Sequence, residues 1–173
     1  MQNKRGISQA FSKPSGGVAL RPATVFDVFD ISQVLIRSIT QLCVADHNND
    51  PDHLKKWTAN KDPETIRGWF QSGSQIWVAE HEGQVVAVGG LFETGKITLL
   101  YVDPGHVGSG VGAALLNRLE HQLAACGCTE AHLDATRTAR EFYLRHGWED
   151  TGRCSDRQDL SCLAMRKSLH PGD

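Results

Sequence analysis

The stretch from Ile97 to Leu116 constrains the fold more than any other. A β-branched and aromatic run, Ile97 to Val102, stops at Asp103-Pro104-Gly105, and glycines then alternate at Gly108, Gly110 and Gly112. Leu115, Leu116, Leu119 and Leu123 follow at helical spacing, so the pattern is strand, glycine loop, helix. The first turn of a helix carries backbone N–H groups without intrahelical partners and the positive end of the macrodipole. Glycines remove the Cβ atoms that would hold an anion away from those amides. Residues Gly108 to Ala113 therefore read as a cradle for a phosphate or pyrophosphate.

Two kinds of protein use such a cradle. Gly108-Ser109-Gly110-Val111-Gly112-Ala113 satisfies the dinucleotide pattern G-x-G-x-x-G/A, and Asp134 follows about 20 residues later, as a ribose-binding acid would. A dinucleotide loop leaves its strand almost directly, however, whereas Asp103 to Val107 intervene here. Too little chain remains after Asp134 for the rest of a doubly wound sheet. A nicotinamide-dependent oxidoreductase is thus the weakest of three readings.

Leu100-Tyr101-Val102-Asp103-Pro104 followed by Val107-Gly108-Ser109-Gly110-Val111-Gly112 resembles the acetyl-CoA motif of the GCN5-related N-acetyltransferases, the GNAT family. Ala139 to Trp148, with Phe142-Tyr143 and Gly147 inside it, resembles that family's second motif, A-x-x-F-Y-x-x-x-G-F/W. Val18-Ala19-Leu20-Arg21-Pro22-Ala23-Thr24 is similar to its first strand. The resemblance implies a single α/β domain over residues 18–168, with residues 1–17 and 169–173 as tails. It implies a mixed, mostly antiparallel sheet of about six to seven strands flanked by about four helices. It further implies acetyl-CoA as co-substrate, held by the backbone of Leu100, Tyr101 and Val102 and by Val107, Gly108, Ser109, Gly110, Val111, Gly112 and Ala113. Val107 departs from the pattern, since the family usually carries Arg or Gln there, so more of the diphosphate contact falls to backbone amides.

Composition narrows the remaining classes. The 173 residues are 40% hydrophobic and 22% charged, with a net charge of -2, which leaves no electrostatic footprint for nucleic acid or an anionic membrane. No apolar run approaches the length of a membrane span, and no apolar segment follows Lys4 and Arg5, so a cytoplasmic protein is expected. Five cysteines, an odd count without a regular framework, read as reduced thiols. Cys126-Gly127-Cys128 lacks both C-x-x-C spacing and a second pair, so no metal is expected.

Taken in order, Val18 to Arg21 reads as a strand, and Thr24 as the N-cap of a helix through Val28, Ile31, Leu35 and Ile39, with Asp27 completing a capping box. The segment from Gln41 to Gln71 holds a turn-rich run, Asp46 to Pro51, and two short helices, one through Leu54 and Trp57 and one from Pro63. The resemblance makes this segment the acceptor side. Trp57, Trp69 and Phe70 read as exposed apolar groups that either roof the acceptor pocket or meet a second copy in a homodimer. Gln75 to Glu80 and Val85 to Phe92 are strands; Ala131 to Ala135 is a third, Thr138 to His146 a helix stopped by Gly147, and Trp148 to Arg153 and Leu160 to Arg166 the closing strands.

Acetyl transfer to an amine needs an anchored donor, a polarised carbonyl, a neutral amine and a proton for the departing thiolate. The resemblance places the Tyr143 hydroxyl near the thioester sulfur, as general acid. Glu93, Asp46, His47 and Asp134 are candidates for the base by location alone, and Arg137, Arg140 and Arg145 lie beside the second motif, one of them within reach of cofactor phosphates. The expected activity is acetyl transfer from acetyl-CoA to a primary amine of a small molecule, or to a peptide amino terminus, by direct attack in a ternary complex. The second reading is a non-catalytic acyl-CoA-binding module, which Val107 favours and the Phe142-Tyr143 pair opposes.

Overall fold

The computed structural model describes residues 17–152 and 162–170. Among them are β1 (Val18–Pro22), α1 (Val28–Leu42), α2 (Val44–His47), α3 (Pro51–Thr58), α4 (Pro63–Trp69), β2 (Gln75–His81), β3 (Gln84–Phe92), β4 (Lys96–Val102), α5 (Val111–Ala125), β5 (Glu130–Ala135), α6 (Arg137–Arg145), β6 (Glu149–Asp150) and β7 (Leu163–Ser168). The seven strands form one sheet in the order β1-β2-β3-β4-β5-β7-β6. Every pairing is antiparallel except that of β4 with β5. This is the expected mixed α/β architecture.

The period-2 alternation of a strand decides which helix covers which face. Ile76, Val78 and Val88 point to one side, where Val28, Ile31, Leu35 and Ile66 of α1 and α4 bury them. Ala79 and Ala87 point to the other, beneath Val111 and Leu115 of α5. A Cβ on Gly89 would lie 2.9 Å from Leu119 Cδ1, so α5 rests against β3 where a side chain is missing. The remainder of α5 joins α6, β5 and β7 in a third cluster that buries Leu123, Leu133, Tyr143, Trp148 and Met165.

Local signals set most of the boundaries. The capping box of Thr24 and Asp27 is present, but it caps a 3₁₀ turn, Val25–Asp27, and α-helical geometry starts only at Val28. Arg21 explains the detour: its guanidinium makes a two-pronged contact with Asp27 at 2.8 and 2.9 Å and ties the turn to β1. The α2 turn stands where turn residues were expected, and Asn48 and Asn49 then reverse the chain with φ of 50° and 56°. Trp69 and Phe70, expected to be exposed, are half-buried against the α1 cluster.

The closing segment differs from expectation. Trp148 does not begin a strand: its N–H closes the end of α6 on the Tyr143 carbonyl at 3.1 Å and its indole is buried. Among the described residues of this segment, Glu149–Asp150 pairs with β7, and Thr151 N–H donates to the Ala164 carbonyl at 2.9 Å. Arg153, Leu160 and most of the two expected tails lie outside the described residues. Leu169, assigned to the C-terminal tail, is buried in the core, and its N–H donates to the Thr129 carbonyl at 2.8 Å.

Candidate functional site

Strands β4 and β5 are joined at one point and then part. Their sole residue pair is Lys96 with His132, supported by His132 N–H donating to the Gly95 carbonyl at 2.8 Å. Further on, β4 stays paired with β3 and β5 with β7, so Thr98–Val102 and Leu133–Ala135 form no ladder with each other. The β3–β4 register slips by one residue between Gly90 and Leu91, which leaves Thr98 as the extra residue of a bulge. A bulge bends its strand and increases its twist, and this one lies where β4 leaves β5.

The space between the strands is a cleft of about 850 Å³, its open mouth included. Leu100, Tyr101 and Val102 form one wall, Leu133 to Thr136 the other, and Ala139, Phe142 and Tyr143 of α6 close one end. Ser38, Leu42 and Cys43 from the end of α1 also reach it, a contribution the sequence did not signal. Burial, and to a lesser degree the neighbouring Asp46, pushes the Cys43 thiol up to about 12, so it is protonated at neutral pH.

At the far end of β4 the chain turns through Asp103. Its N–H donates to the Val86 carbonyl at 2.8 Å, and its buried carboxylate accepts from Gly105 N–H at 2.9 Å and pairs with Arg37 at 3.1 Å. The 3₁₀ turn Pro104–His106 follows, then Val107, which is 59% exposed. Gly108 and Gly110 have φ of 79° and 85°, with nothing within 4 Å of where a Cβ would stand. These two glycines serve the backbone conformation, since L-residues enter that region at a cost of roughly 1–2 kcal/mol.

Gly112 serves space instead. A Cβ there would sit 3.2 Å from Val102 Cγ2 and intrude on the cleft it lines. The first bond of α5 is Ala114 N–H to the Gly110 carbonyl at 3.0 Å, so among the described residues the N–H groups of Val111, Gly112 and Ala113 have no hydrogen-bond partner. Ser109 is not a spare donor: its hydroxyl donates to the His106 carbonyl at 2.6 Å and its N–H to the same oxygen at 3.3 Å.

Helix α6 is held from both sides of its first turn. Thr136 accepts from Ala139 N–H at 3.1 Å, and Asp46, from α2, accepts from Arg137 N–H at 2.7 Å and from the Thr138 hydroxyl at 2.6 Å. This double cap fixes Tyr143, which is 6% exposed and packs edge-on to Phe142 and Trp148 with ring centroids 5.3 and 5.8 Å apart. Burial foremost, and the facing Tyr101 secondarily, raise the Tyr143 phenol well above its ordinary value. Trp148 is anchored in turn by Glu120, which accepts from the indole Nε1–H at 2.8 Å and from Lys167 at 2.7 Å.

Geometry separates the four candidate bases. Glu93 accepts from the Gln75 side chain at the β3–β4 turn. Asp46 is committed to α6. His47 is fully buried, with Nε2 donating to the Ile39 carbonyl at 3.0 Å and Nδ1 accepting from Asn49 N–H at 3.0 Å, so both ring nitrogens are engaged. Among the described residues, Asp134 alone of the four lines the cleft while keeping a carboxylate oxygen without a hydrogen-bond partner. Of the three arginines, Arg140 pairs with Glu141 and Asp150, while Arg137 and Arg145 are exposed on α6. The Cys128 thiol donates to the Glu93 carbonyl, and Cys126 ends α5. No helix among the described residues is long and apolar enough to cross a membrane.

A family model described as "Acetyltransferase (GNAT) domain" matches residues 40–169. Among solved structures, a GCN5-related N-acetyltransferase from Rhodopseudomonas palustris is 28% identical, with 94% of this chain and 99% of that one covered and a TM-score of 0.78. The PaiA N-acetyltransferase from Thermoplasma acidophilum, in complex with coenzyme A, is 18% identical over 88% of this chain and 99% of its own, with a TM-score of 0.75. The YncA structure from Salmonella typhimurium with its cofactor acetyl-CoA is 21% identical over 88% and 94%, with a TM-score of 0.66. Comparison with curated proteins gives no match. The family model covers the elements that build the cleft, from the end of α1 through β7, and on that ground the chain belongs to the GNAT acetyltransferase family.

Proposed function

We propose that this protein transfers an acetyl group from acetyl-CoA to a primary amine of a small molecule, or to a peptide amino terminus, by direct attack within a ternary complex. The observation that carries the reading is the parting of β4 and β5 beside a helix whose first amides are bare. Unpaired strand edges can hydrogen-bond an extended amide-containing chain as an added strand would, and the α5 N-terminus suits a diphosphate. Gly112 fits the group because its missing Cβ keeps the cleft open where β4 meets α5. The coenzyme A and acetyl-CoA complexes of the Thermoplasma and Salmonella proteins support the same donor.

Bound acetyl-CoA supplies the activated acyl group; the remaining tasks belong to the chain. The backbone N–H groups of Leu100 and Val102, on the edge of β4 away from β3, would polarise a carbonyl lying along β4. Tyr143 holds its proton on the phenolic oxygen for the departing thiolate, and its raised pKa keeps that proton in place across the working pH range. The protonated thiol of Cys43 is a poor nucleophile, which agrees with attack by the amine itself.

Val107 favours one alternative, an acyl-CoA-binding module without turnover, because an exposed valine adds no charge to the diphosphate site. Titration calorimetry with acetyl-CoA, followed by a thiol-release assay against amines, amino acids, aminoglycosides and peptides, separates the two. Binding with acceptor-dependent thiol release supports the transferase. Binding without release leaves the module, and absence of binding removes both.

A further inference from the structure

A second cavity of about 730 Å³, its open mouth included, adjoins the cleft on the side of α2 and α3. The two share Ile97, Thr98, Tyr101, Asp134, Ala135 and Thr136, so they meet over the start of the parting strands. The second is the more polar in its lining residues, with Trp57, Lys96, Asp46 and Cys162 completing its wall. A donor lying along β4 and an acceptor entering from the second cavity would come together at this junction.

Resting on the transferase reading above, we propose that the second cavity admits the acceptor and that Asp134 takes the proton from its ammonium group. Asp134 stands on β5 at the junction with its side chain 26% exposed. Lys96 binds one carboxylate oxygen, Oδ2, at 2.9 Å, and among the described residues nothing engages Oδ1. The other ionisable groups around the two cavities are Lys96 and Tyr101 on β4, Asp46 on α2, Cys43 after α1, Tyr143 on α6 and Cys162 before β7. Asp46 is spent on α6, and Tyr143 and Cys43 hold their protons, which leaves Asp134 as the carboxylate able to accept one.

The step balances. An N–H bond of the ammonium breaks and its proton passes to Asp134 Oδ1, directly or through one water. The freed lone pair forms the new N–C bond, the C–S bond breaks with its pair going to sulfur, and Tyr143 supplies the sulfur with a proton. The nitrogen, positively charged after attack, gives up a second proton to solvent at the cavity mouth to leave the neutral amide. Solvent at the cavity mouth then removes the proton from Asp134 and restores that of Tyr143. The acceptor class is therefore a primary amine that is charged in solution, whose own pKa of about 10.4 sets the need for a base.

The test compares wild type, Asp134→Asn and Lys96→Met, with tryptamine, spermidine, ethanolamine and glycinamide as probe acceptors, from pH 6.5 to 10. Asp134→Asn should bind acetyl-CoA within about twofold of wild type and lose about 100-fold or more in kcat/KM at pH 7. The loss should shrink as rising pH supplies neutral amine. Lys96→Met, which alters the cavity wall and breaks the ion pair but keeps the carboxylate, should lose less than Asp134→Asn at pH 7, and its loss should not shrink as the pH rises. A loss in Asp134→Asn that is equal at every pH, or matched by Lys96→Met, would mean a positioning pair and overturn the assignment while leaving the transferase reading intact. If wild type binds acetyl-CoA but turns over none of the four amines, both fall.

Discussion

Replacing Tyr143 with phenylalanine isolates one hydroxyl. The ring of Tyr143 is held by Phe142 and Trp148 at 5.3 and 5.8 Å, and phenylalanine keeps both contacts, so unfolding free energy should change by less than about 1 kcal/mol. A hydrogen bond to a charged partner contributes about 1.5–3 kcal/mol, and about 1.4 kcal/mol is tenfold in rate. Loss of the donor to a departing thiolate thus lowers kcat roughly 10- to 100-fold. Acetyl-CoA affinity should hold, because the thiolate exists only in the transition state and after it.

The pH dependence has a definite sign. A phenol raised above its ordinary value of 10 remains a neutral donor up to and beyond pH 10, so no alkaline loss of kcat below that pH should arise from Tyr143. The same displacement favours the folded state below pH 10, and that contribution is lost only as the pH climbs through the raised value. Thiol release under saturating donor, with the unfolding midpoint measured alongside, decides the matter. A kcat within about threefold of wild type at an unchanged midpoint would reduce Tyr143 to a packing residue and refute the argument.

Three further expectations concern the scaffold. Arg21 foremost, helped by the Thr24 N–H, holds the Asp27 carboxyl near 2 against an ordinary 3.8; the resulting stability, up to about 2 kcal/mol, is full above pH 5 and lost as the pH falls through 3.8 towards 2, and Arg21→Met should flatten that acid limb in urea titrations. Asp46→Ala removes the carboxylate that caps α6 from α2 and should cost about 1–2 kcal/mol by denaturant unfolding, with Asp46→Asn recovering part because one acceptor oxygen remains; no change would mean the tie is not formed in solution. Glu120→Ala leaves the buried Trp148 indole N–H and the Lys167 ammonium unpaired and should cost about 2–3 kcal/mol, at or below the low end for a buried pair because Lys167 is 25% exposed. A loss below about 1 kcal/mol would show that water replaces the carboxylate.

The sequence by itself determined what depends on neighbours a few residues apart. The glycine loop and the helix that follows it, the Thr24–Asp27 box, the Pro63 helix start and the Gly147 stop are all local choices of backbone conformation, written in residues whose dihedral or capping preferences act over three or four positions. The first four strands followed from alternation and short turns. Resemblance in two motifs added the family, and with it the donor and Tyr143.

Tertiary structure decided the rest, because the interactions concerned join residues far apart in the chain. The bulge at Thr98 exists only relative to β3, and the separation of β4 from β5 only once both have other partners. Asp46 looked like a turn residue until the fold carried it to an amide 91 positions away. His47 and Asp134 carry similar local signals as bases, yet packing gave one both its hydrogen bonds in the interior and left the other, among the described residues, one oxygen without a partner at the meeting of two cavities. Local energetics choose the conformation of a segment. Which groups are satisfied and which stay free for chemistry is settled when distant segments compete for the same donors and acceptors.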